Sequence, residues 1–98
     1  MNAKMKGKKV VEINVTRQCI NQGIPGDVNA CAIALAVKRA MRRARWVVVS
    51  YDSIEVVKGQ AAGVRRATPP TRAARFIRRF DTELPVKPFR FRATFRPV

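Results

Sequence analysis

The sequence has no histidine, two cysteines and only six acidic residues among its 98. Histidine is the commonest general base and the commonest metal ligand, so its absence disfavours both catalysis and a zinc site. The longest uninterrupted apolar run, residues 30–37, is far shorter than the roughly 20 residues that a membrane-spanning helix needs. No apolar stretch of signal-peptide type follows the basic first residues, so we expect a cytoplasmic protein. We predict no enzyme, no catalytic residue, no metal and no cofactor.

The two cysteines are Cys19 and Cys31. Two thiols cannot complete the four-ligand shell of a structural zinc site without histidine, and no carboxylate pair lies nearby in the sequence. Cys31 lies inside the apolar run and is predicted to be a small core residue, because free cysteine is among the most buried residue types. In a cytosolic chain both thiols are expected to be reduced, and a Cys19–Cys31 disulfide is the alternative.

Basic residues dominate what remains: Lys and Arg number 21, which gives a formal net charge of +15. The hydrophobic fraction of 47% is too high for a chain that is disordered throughout. A chain of this length supports one core. We therefore predict a flexible basic N-terminus over residues 1–8 and a single α+β domain over residues 9–98.

Two periodicities divide that domain into strands and helices. Alternating apolar residues predict strands over 9–15 and 89–98, and β-branched residues predict a hairpin of strands 46–51 and 54–57. An Ala-rich segment, 28–43, predicts a central buried helix with Asp27 as its N-cap.

The second predicted helix follows Thr68, which is placed to cap it ahead of two prolines. Its apolar stripe is spaced at i, i+3, i+4 and i+7 and consists of Ala73, Phe76, Ile77 and Phe80. Residues 58–67 have no regular period and are predicted to form an exposed loop, and 16–21 a turn or short helical piece. The strand phenylalanines and Trp46 are predicted to lie in the core.

The resulting order is β-α-β-β-α-β, which suits two helices packed on one face of a mainly antiparallel four-stranded sheet. A ferredoxin-like split βαβ arrangement is the topology that this order favours, although connectivity alone leaves other strand pairings open. The last strand is expected to be able to pair at a sheet edge.

Arginines cluster in three places along this predicted fold. Four gather at the end of the first helix, three lie within about 60° of arc on one flank of the second, and three share the solvent face of the last strand. Guanidinium groups hold phosphate oxygens in a bidentate way, so these clusters predict contacts with a phosphate backbone. The candidate nucleic-acid-binding residues are Arg39, Arg42, Arg43, Arg45, Arg72, Arg75, Arg79, Arg90, Arg92 and Arg96.

Three stretches of the chain together resemble a recurring pattern. They are residues 17–36 with Cys31-Ala32-Ile33-Ala34-Leu35, residues 53–56, and residues 69–91 with a Phe-x-x-x-Phe-Asp helix before a Pro-Phe strand. The pattern is similar to small uncharacterised proteins of tailed bacteriophages, which often have Pro where this chain has Ala32. The resemblance implies a phage origin and action in the bacterial cytoplasm, and it transfers no functional residue.

We therefore predict a non-enzymatic, phage-type basic protein that binds DNA or RNA mainly through the phosphate backbone, with little sequence specificity. One alternative is a phage effector that uses the same arginines to bind and inhibit a host protein or a defence complex. Another is a basic structural component of a virion or ribonucleoprotein particle. A solvated charged surface with no dedicated site is the remaining possibility.

Overall fold

Residues 7–59 and 63–98 of a computed structural model are described, and they form three helices and five strands. In chain order these are β1 (Lys9–Val15), α1 (Arg17–Gln22), α2 (Ala32–Ala40), β2 (Trp46–Val49), β3 (Ile54–Val57), β4 (Val64–Ala67), α3 (Thr71–Asp81) and β5 (Phe89–Pro97). The predicted α+β class is confirmed. Most of the predicted flexible segment, residues 1–6, lies outside the described residues, while Gly7 and Lys8 are exposed ahead of β1.

The sheet has the order β1-β5-β4-β3-β2, and every neighbouring pair is antiparallel. The prediction of four strands is wrong because Val64–Ala67, taken from the sequence as loop, pairs with β3 and β5 as β4. The ferredoxin-like order is not confirmed, since β1 lies at an edge with no parallel neighbour. The last strand lies between β1 and β4 and is not an edge.

One face of the sheet forms the core with the helices. Alternate residues of β1, β2, β3 and β5 are buried on this inner face, and among them Phe91, Phe95 and Ile13 are the largest side chains. Helix α2 packs on β1 and β2, and α3 reaches the sheet through Phe76, whose ring centroid lies 4.9 Å from that of Phe89. The alternation therefore confirms the strand phenylalanines as core, with Phe89 half-buried.

The opposite, outer face of the sheet carries the other residue of each alternating pair and is largely exposed. Trp46 lies on this face and is 62% exposed, so its predicted place in the core is wrong. Strand β2 begins at Trp46, and the register pairs it with Val57, putting both residues on the outer face. The buried residues of β2 are Val47 and Val49.

Helix α2 is shorter than the predicted helix 28–43. It begins at Ala32 with Cys31 as its N-cap residue, and it ends before Met41. Asp27 therefore does not cap a helix; its carboxylate accepts a hydrogen bond from the Asn29 N–H at 2.9 Å and closes a turn. Val28 and Asn29 form hydrogen bonds with the edge of β2 instead of continuing the helix.

Segment 28–29 covers the free edge of β2. The Val49 N–H donates to the Val28 carbonyl at 2.9 Å, and the Asn29 side-chain amide donates to the Val47 carbonyl at 3.0 Å. Backbone groups that β2 would otherwise present at the sheet edge are thereby paired. This use of the backbone explains why the helix starts four residues later than its composition suggests.

The remaining local predictions divide between confirmed and corrected. Residues 17–22 form the short helix α1, capped by the Thr16 hydroxyl, which accepts from the Cys19 N–H at 3.1 Å. Pro70, not Thr68, is the N-cap residue of α3. Cys19 and Cys31 are both buried and free, which confirms Cys31 as a core residue and excludes the disulfide alternative in this structure.

Candidate nucleic-acid interface

The ten candidate arginines do not share one surface of the folded chain. Arg72, Arg75 and Arg79 line one groove, which we call the α3 groove. The outer face of the sheet carries Arg90, Arg92 and Arg96. The third group, Arg39, Arg42, Arg43 and Arg45, follows the course of the chain at and beyond the end of α2, and it does not converge on one site.

The α3 groove forms because the chain doubles back after the helix. Glu83 adopts a left-handed conformation, with φ of 60°, and its N–H donates to the Phe80 carbonyl at 3.0 Å. A left-handed residue directly after a helix reverses the direction of the chain. The segment 84–88 then returns along α3 toward the start of β5, which leaves a channel between the segment and the helix.

Arg79 fixes the far wall of this channel. Its Nε and Nη2 atoms donate to the Pro85 carbonyl at 3.1 and 2.9 Å. These two bonds from one guanidinium meet at a single carbonyl oxygen and hold the returning segment against α3. Arg79 therefore positions the wall of the groove as well as lining it. These two bonds also fix the orientation of the guanidinium plane, and with it the remaining N–H groups of Arg79.

The rim of the groove is basic and its floor is apolar. Arg72, Arg75, Arg79 and Lys87 supply four cations, and no carboxylate is among the lining residues. The volume is about 540 Å³, and the floor includes Phe76 and Phe89. The Arg72 guanidinium carbon lies 5.9 Å from the Phe89 ring centroid, within reach of a cation–π interaction.

The floor rings belong to a longer aromatic row. Phe80, Phe76, Phe89 and Phe91 follow one another with centroid separations of 5.8, 4.9 and 5.5 Å. Since Phe76 is buried and Phe89 only half-buried, the rings support the rim rather than offering open faces for stacking. A ligand in the groove therefore meets cations at the rim and apolar surface on the floor.

The outer face of the sheet holds a second row of cations, as the period of β5 predicts. Arg90, Arg92 and Arg96 are all exposed there. Arg90 is partly neutralised by Glu12, with Nη1 and Oε2 separated by 3.7 Å. Next to Arg96 in the register is Arg66, which forms an ion pair of 2.7 Å with Glu55. This face thus mixes positive and negative charge, unlike the α3 groove.

The four arginines around the end of α2 separate in the structure. Arg39 donates to the Gln18 side chain at 2.6 Å and lies beside Glu12 and Asn14 of β1. Arg45 precedes β2, with its N–H bonded to the Val57 carbonyl at 2.7 Å. Only Arg42 and Arg43 come together, and they do so with two lysines, Lys9 and Lys58.

Few of these cations are engaged by carboxylates. Within residues 7–59 and 63–98 the ion pairs are Arg66–Glu55 and Arg90–Glu12. The carboxylates of Asp27, Asp52 and Asp81 instead accept hydrogen bonds from a backbone N–H or a hydroxyl. Most of the excess positive charge is left facing solvent.

Sequence reasoning missed Lys87 in the α3 groove, and also Lys9 and Lys58. Lys87 follows a helix by six residues, and only the left-handed turn at Glu83 reveals that it returns to that helix. A positive φ at a glutamate has no sequence signature comparable to that of glycine or asparagine. The pairing of β1 with β5 and of β3 with β4 places Lys9 and Lys58, and the sequence does not specify those pairings.

No group of three or more potential metal-ligating side chains occurs among the residues that the structure describes. None of the three helices in that part of the chain is long and apolar enough to cross a membrane. Comparison with protein-family models, with curated proteins and with solved structures finds no match to this chain. The resemblance to phage proteins therefore stays a prediction, and function must be argued from the surface itself.

Proposed function

We propose that this protein is a non-enzymatic nucleic-acid-binding protein that contacts the phosphate backbone, with the α3 groove as its principal contact. The observation that carries the proposal is the groove itself, in which four cations line one channel without a carboxylate. A channel open along a helix suits an extended polyanion, and neutralising its cations by phosphates releases the counterions of the strand.

The shape of the floor favours backbone contacts over base contacts. Phe76 and Phe89 are covered or half-covered, so they offer little surface to a stacked base. The rim also lacks asparagine and glutamine, which read adenine by paired hydrogen bonds. Binding of this kind positions a strand without reading its sequence.

The outer face of the sheet supports a secondary role. Arg92 and Arg96 are exposed there without an ion pair among the described residues, whereas Arg90 and Arg66 are paired with glutamates. Exposed pairs of this type are weak and are screened by salt, so they can yield to phosphate. We expect this face to add to the affinity less per arginine than the groove does.

The test is a titration of fluorescent single- and double-stranded DNA and RNA at several salt concentrations. The groove variant is Arg72→Gln/Arg75→Gln/Lys87→Gln, which keeps Arg79 and its bonds to Pro85. The slope of log K against log salt is negative, and losing three phosphate contacts reduces its magnitude by about 2 to 3. The groove variant should therefore bind more weakly at low salt and depend less on salt.

A matched control removes three positive charges that do not line the groove, through Lys8→Gln/Arg17→Gln/Lys38→Gln. The magnitude of its slope should fall by less than about 1, because these residues make no direct phosphate contact in the proposed complex. Equal slopes for the two variants would show that the groove has no special part. Absence of binding to any nucleic acid at low salt would overturn the proposal and leave the effector and structural alternatives.

A further inference from the structure

A second group of cations lies apart from the α3 groove. Lys9 at the start of β1, Arg42 and Arg43 after α2, and Lys58 after β3 line a cavity of about 250 Å³. We call these four residues the α2-end cluster. Ala40 and Met41 complete the cavity, which shares no lining residue with the α3 groove.

Three separate chain segments bring these side chains together, so sequence proximity does not explain the cluster. Strand β1 reaches Lys9 through its pairing with β5, where Lys9 is opposite Phe95. Lys58 follows β3 directly, and its N–H donates to the Gly63 carbonyl at 3.4 Å. Arg42 and Arg43 follow the last turn of α2, which closes with the Met41 N–H bonded to the Val37 carbonyl at 2.8 Å.

The charge within the cluster is of one sign. No carboxylate lines the cavity. Burial lowers the pKa of the Lys58 ammonium below its ordinary value, and the neighbouring charges of Lys9, Arg65 and Arg43 lower it further. Like charges held this close destabilise the compact state unless an anion lies between them. The negative end of the α2 dipole offsets only about half of one charge.

We propose that the α2-end cluster binds a compact phosphorylated anion with two or more negative charges, such as a diphosphate group. Arg42 and Arg43 would each offer a planar fork of donors to phosphate oxygens. Lys9 and Lys58, which line the same cavity, would add point charges. The ligand class is set by this density of donors in a small volume, which a single carboxylate does not match.

Two sources can supply such a group, a free diphosphate compound or the phosphorylated end of a nucleic-acid strand. Isothermal titration at low salt with pyrophosphate, and with short oligonucleotides bearing either a 5′-phosphate or a 5′-hydroxyl, separates them. Pyrophosphate should bind with a Kd below about 1 mM. A gain in affinity from the 5′-phosphate would assign strand ends as the source, and equal affinity for both oligonucleotides would assign free diphosphate compounds.

The discriminating variant is Arg43→Gln/Lys58→Gln, and its charge-matched control is the double substitution Arg72→Gln/Arg75→Gln in the α3 groove. Pyrophosphate affinity should fall at least about tenfold in the first and by less than about threefold in the second. Circular dichroism on both variants checks that the fold is intact. Equal pyrophosphate affinity for the two variants, or no binding by the unsubstituted protein, would overturn the proposal.

This result is independent of the proposed nucleic-acid binding. If the groove fails and the cluster holds, pyrophosphate binds while the salt-dependent binding of oligonucleotides is unaffected by Arg72→Gln/Arg75→Gln. If the proposal for the cluster fails and that for the groove holds, pyrophosphate does not bind, while Arg72→Gln/Arg75→Gln weakens the salt-dependent binding of oligonucleotides.

Discussion

The pKa of Lys58 depends on the charges around it in the α2-end cluster. Its ammonium faces Lys9, Arg42, Arg43 and Arg65, and burial together with the charges of Lys9, Arg65 and Arg43 lowers its pKa. A lysine whose pKa is lower in the folded than in the unfolded chain costs stability while it is charged. The cost is complete well below the folded pKa and is lost as pH rises above the unfolded value, which is near 10.5.

We therefore expect Lys58→Gln to stabilise the protein at neutral pH. Because Lys58 is only partly buried, solvent screening limits the gain to at most about 0.5 kcal/mol, or a rise in Tm of about 2–4 °C. The difference from the unsubstituted protein should shrink as pH rises past the folded pKa and vanish well above 10.5, where Lys58 is neutral in both states. Thermal melts followed by circular dichroism at several pH values check this. A lower Tm for Lys58→Gln at neutral pH would contradict it.

Residue-scale prediction succeeded where one periodicity decided the outcome. The alternation of β5 placed Phe91 and Phe95 in the core and Arg90, Arg92 and Arg96 in solvent, since side chains of a strand point to opposite faces in turn. The prediction that Trp46 lies in the core is wrong because it rests on the hydrophobicity of the side chain and not on its position in the alternation of β2. Had the buried pair Val47 and Val49 set the phase of β2, Trp46 would have been placed on the outer face.

At the scale of elements, the start of α2 illustrates a competition that composition cannot resolve. Residues 28–31 belong to a segment without glycine or proline that predicts a helix, yet the Val28 carbonyl and the Asn29 amide are bonded to β2 instead. The edge of a sheet offers unpaired backbone groups, and pairing them outweighs one more turn of helix. Only knowledge of which strand is the edge would have indicated this.

Asn29→Ala should destabilise the protein by about 1 kcal/mol, the usual net worth of a hydrogen bond. The substitution removes the 3.0 Å bond to the Val47 carbonyl but retains the backbone bond between Val49 and Val28. Urea unfolding followed by circular dichroism measures the change. As a control, Asn21→Ala removes an exposed asparagine in the last turn of α1, and its effect should stay within about 0.5 kcal/mol. Equal effects of the two substitutions would show that the edge contact contributes nothing.

Strand β4 was the largest element missed. Its sequence, Val64-Arg65-Arg66-Ala67, has only one fully buried side chain and lacks the β-branched runs of β2 and β3. What makes it a strand is pairing: Arg66 is opposite Glu55 on one side and Arg96 on the other. Pairing partners far apart in sequence leave little local signal, which is why the loop prediction failed and the strand count with it.

For the whole molecule, the net charge of +15 is spread over a body 47 × 24 × 19 Å in extent. The three arginine clusters do not converge on one patch: Arg72, Arg75 and Arg79 come from one helix, and Arg42 and Arg43 are adjacent in the chain. The remaining candidates are divided among surfaces that face different neighbours. Tertiary pairing decides which clusters meet, so sequence could identify the clusters but not their grouping.

Screening this charge should stabilise the fold. Raising sodium chloride from about 0.01 M to about 1 M shortens the Debye length from about 30 Å to about 3 Å, from longer than the two shorter dimensions of the molecule to far below them. We expect Tm to rise by at least about 5 °C, which corresponds to roughly 1 kcal/mol for a domain of this size. Differential scanning calorimetry measures it. A constant or falling Tm would show that self-repulsion is negligible.

Chloride is the appropriate anion for that measurement. Sulfate also strengthens the burial of apolar groups, and phosphate would occupy the proposed α2-end cluster. A further rise in Tm when pyrophosphate is added at constant ionic strength would then report binding rather than screening, because a ligand of the folded state alone stabilises it by mass action.

The backbone bonds that segment 28–29 makes to β2 also govern how copies of the chain can join. With that edge covered, strand addition within residues 7–59 and 63–98 is left to the outer edge of β1 and to the part of β5 before Arg96, which β4 does not pair. If two copies paired through β1, the β2 edge of each copy would lie away from the partner and would be covered by segment 28–29. Extension of the sheet from chain to chain cannot proceed through the β2 edge, so it would not continue there into a fibre.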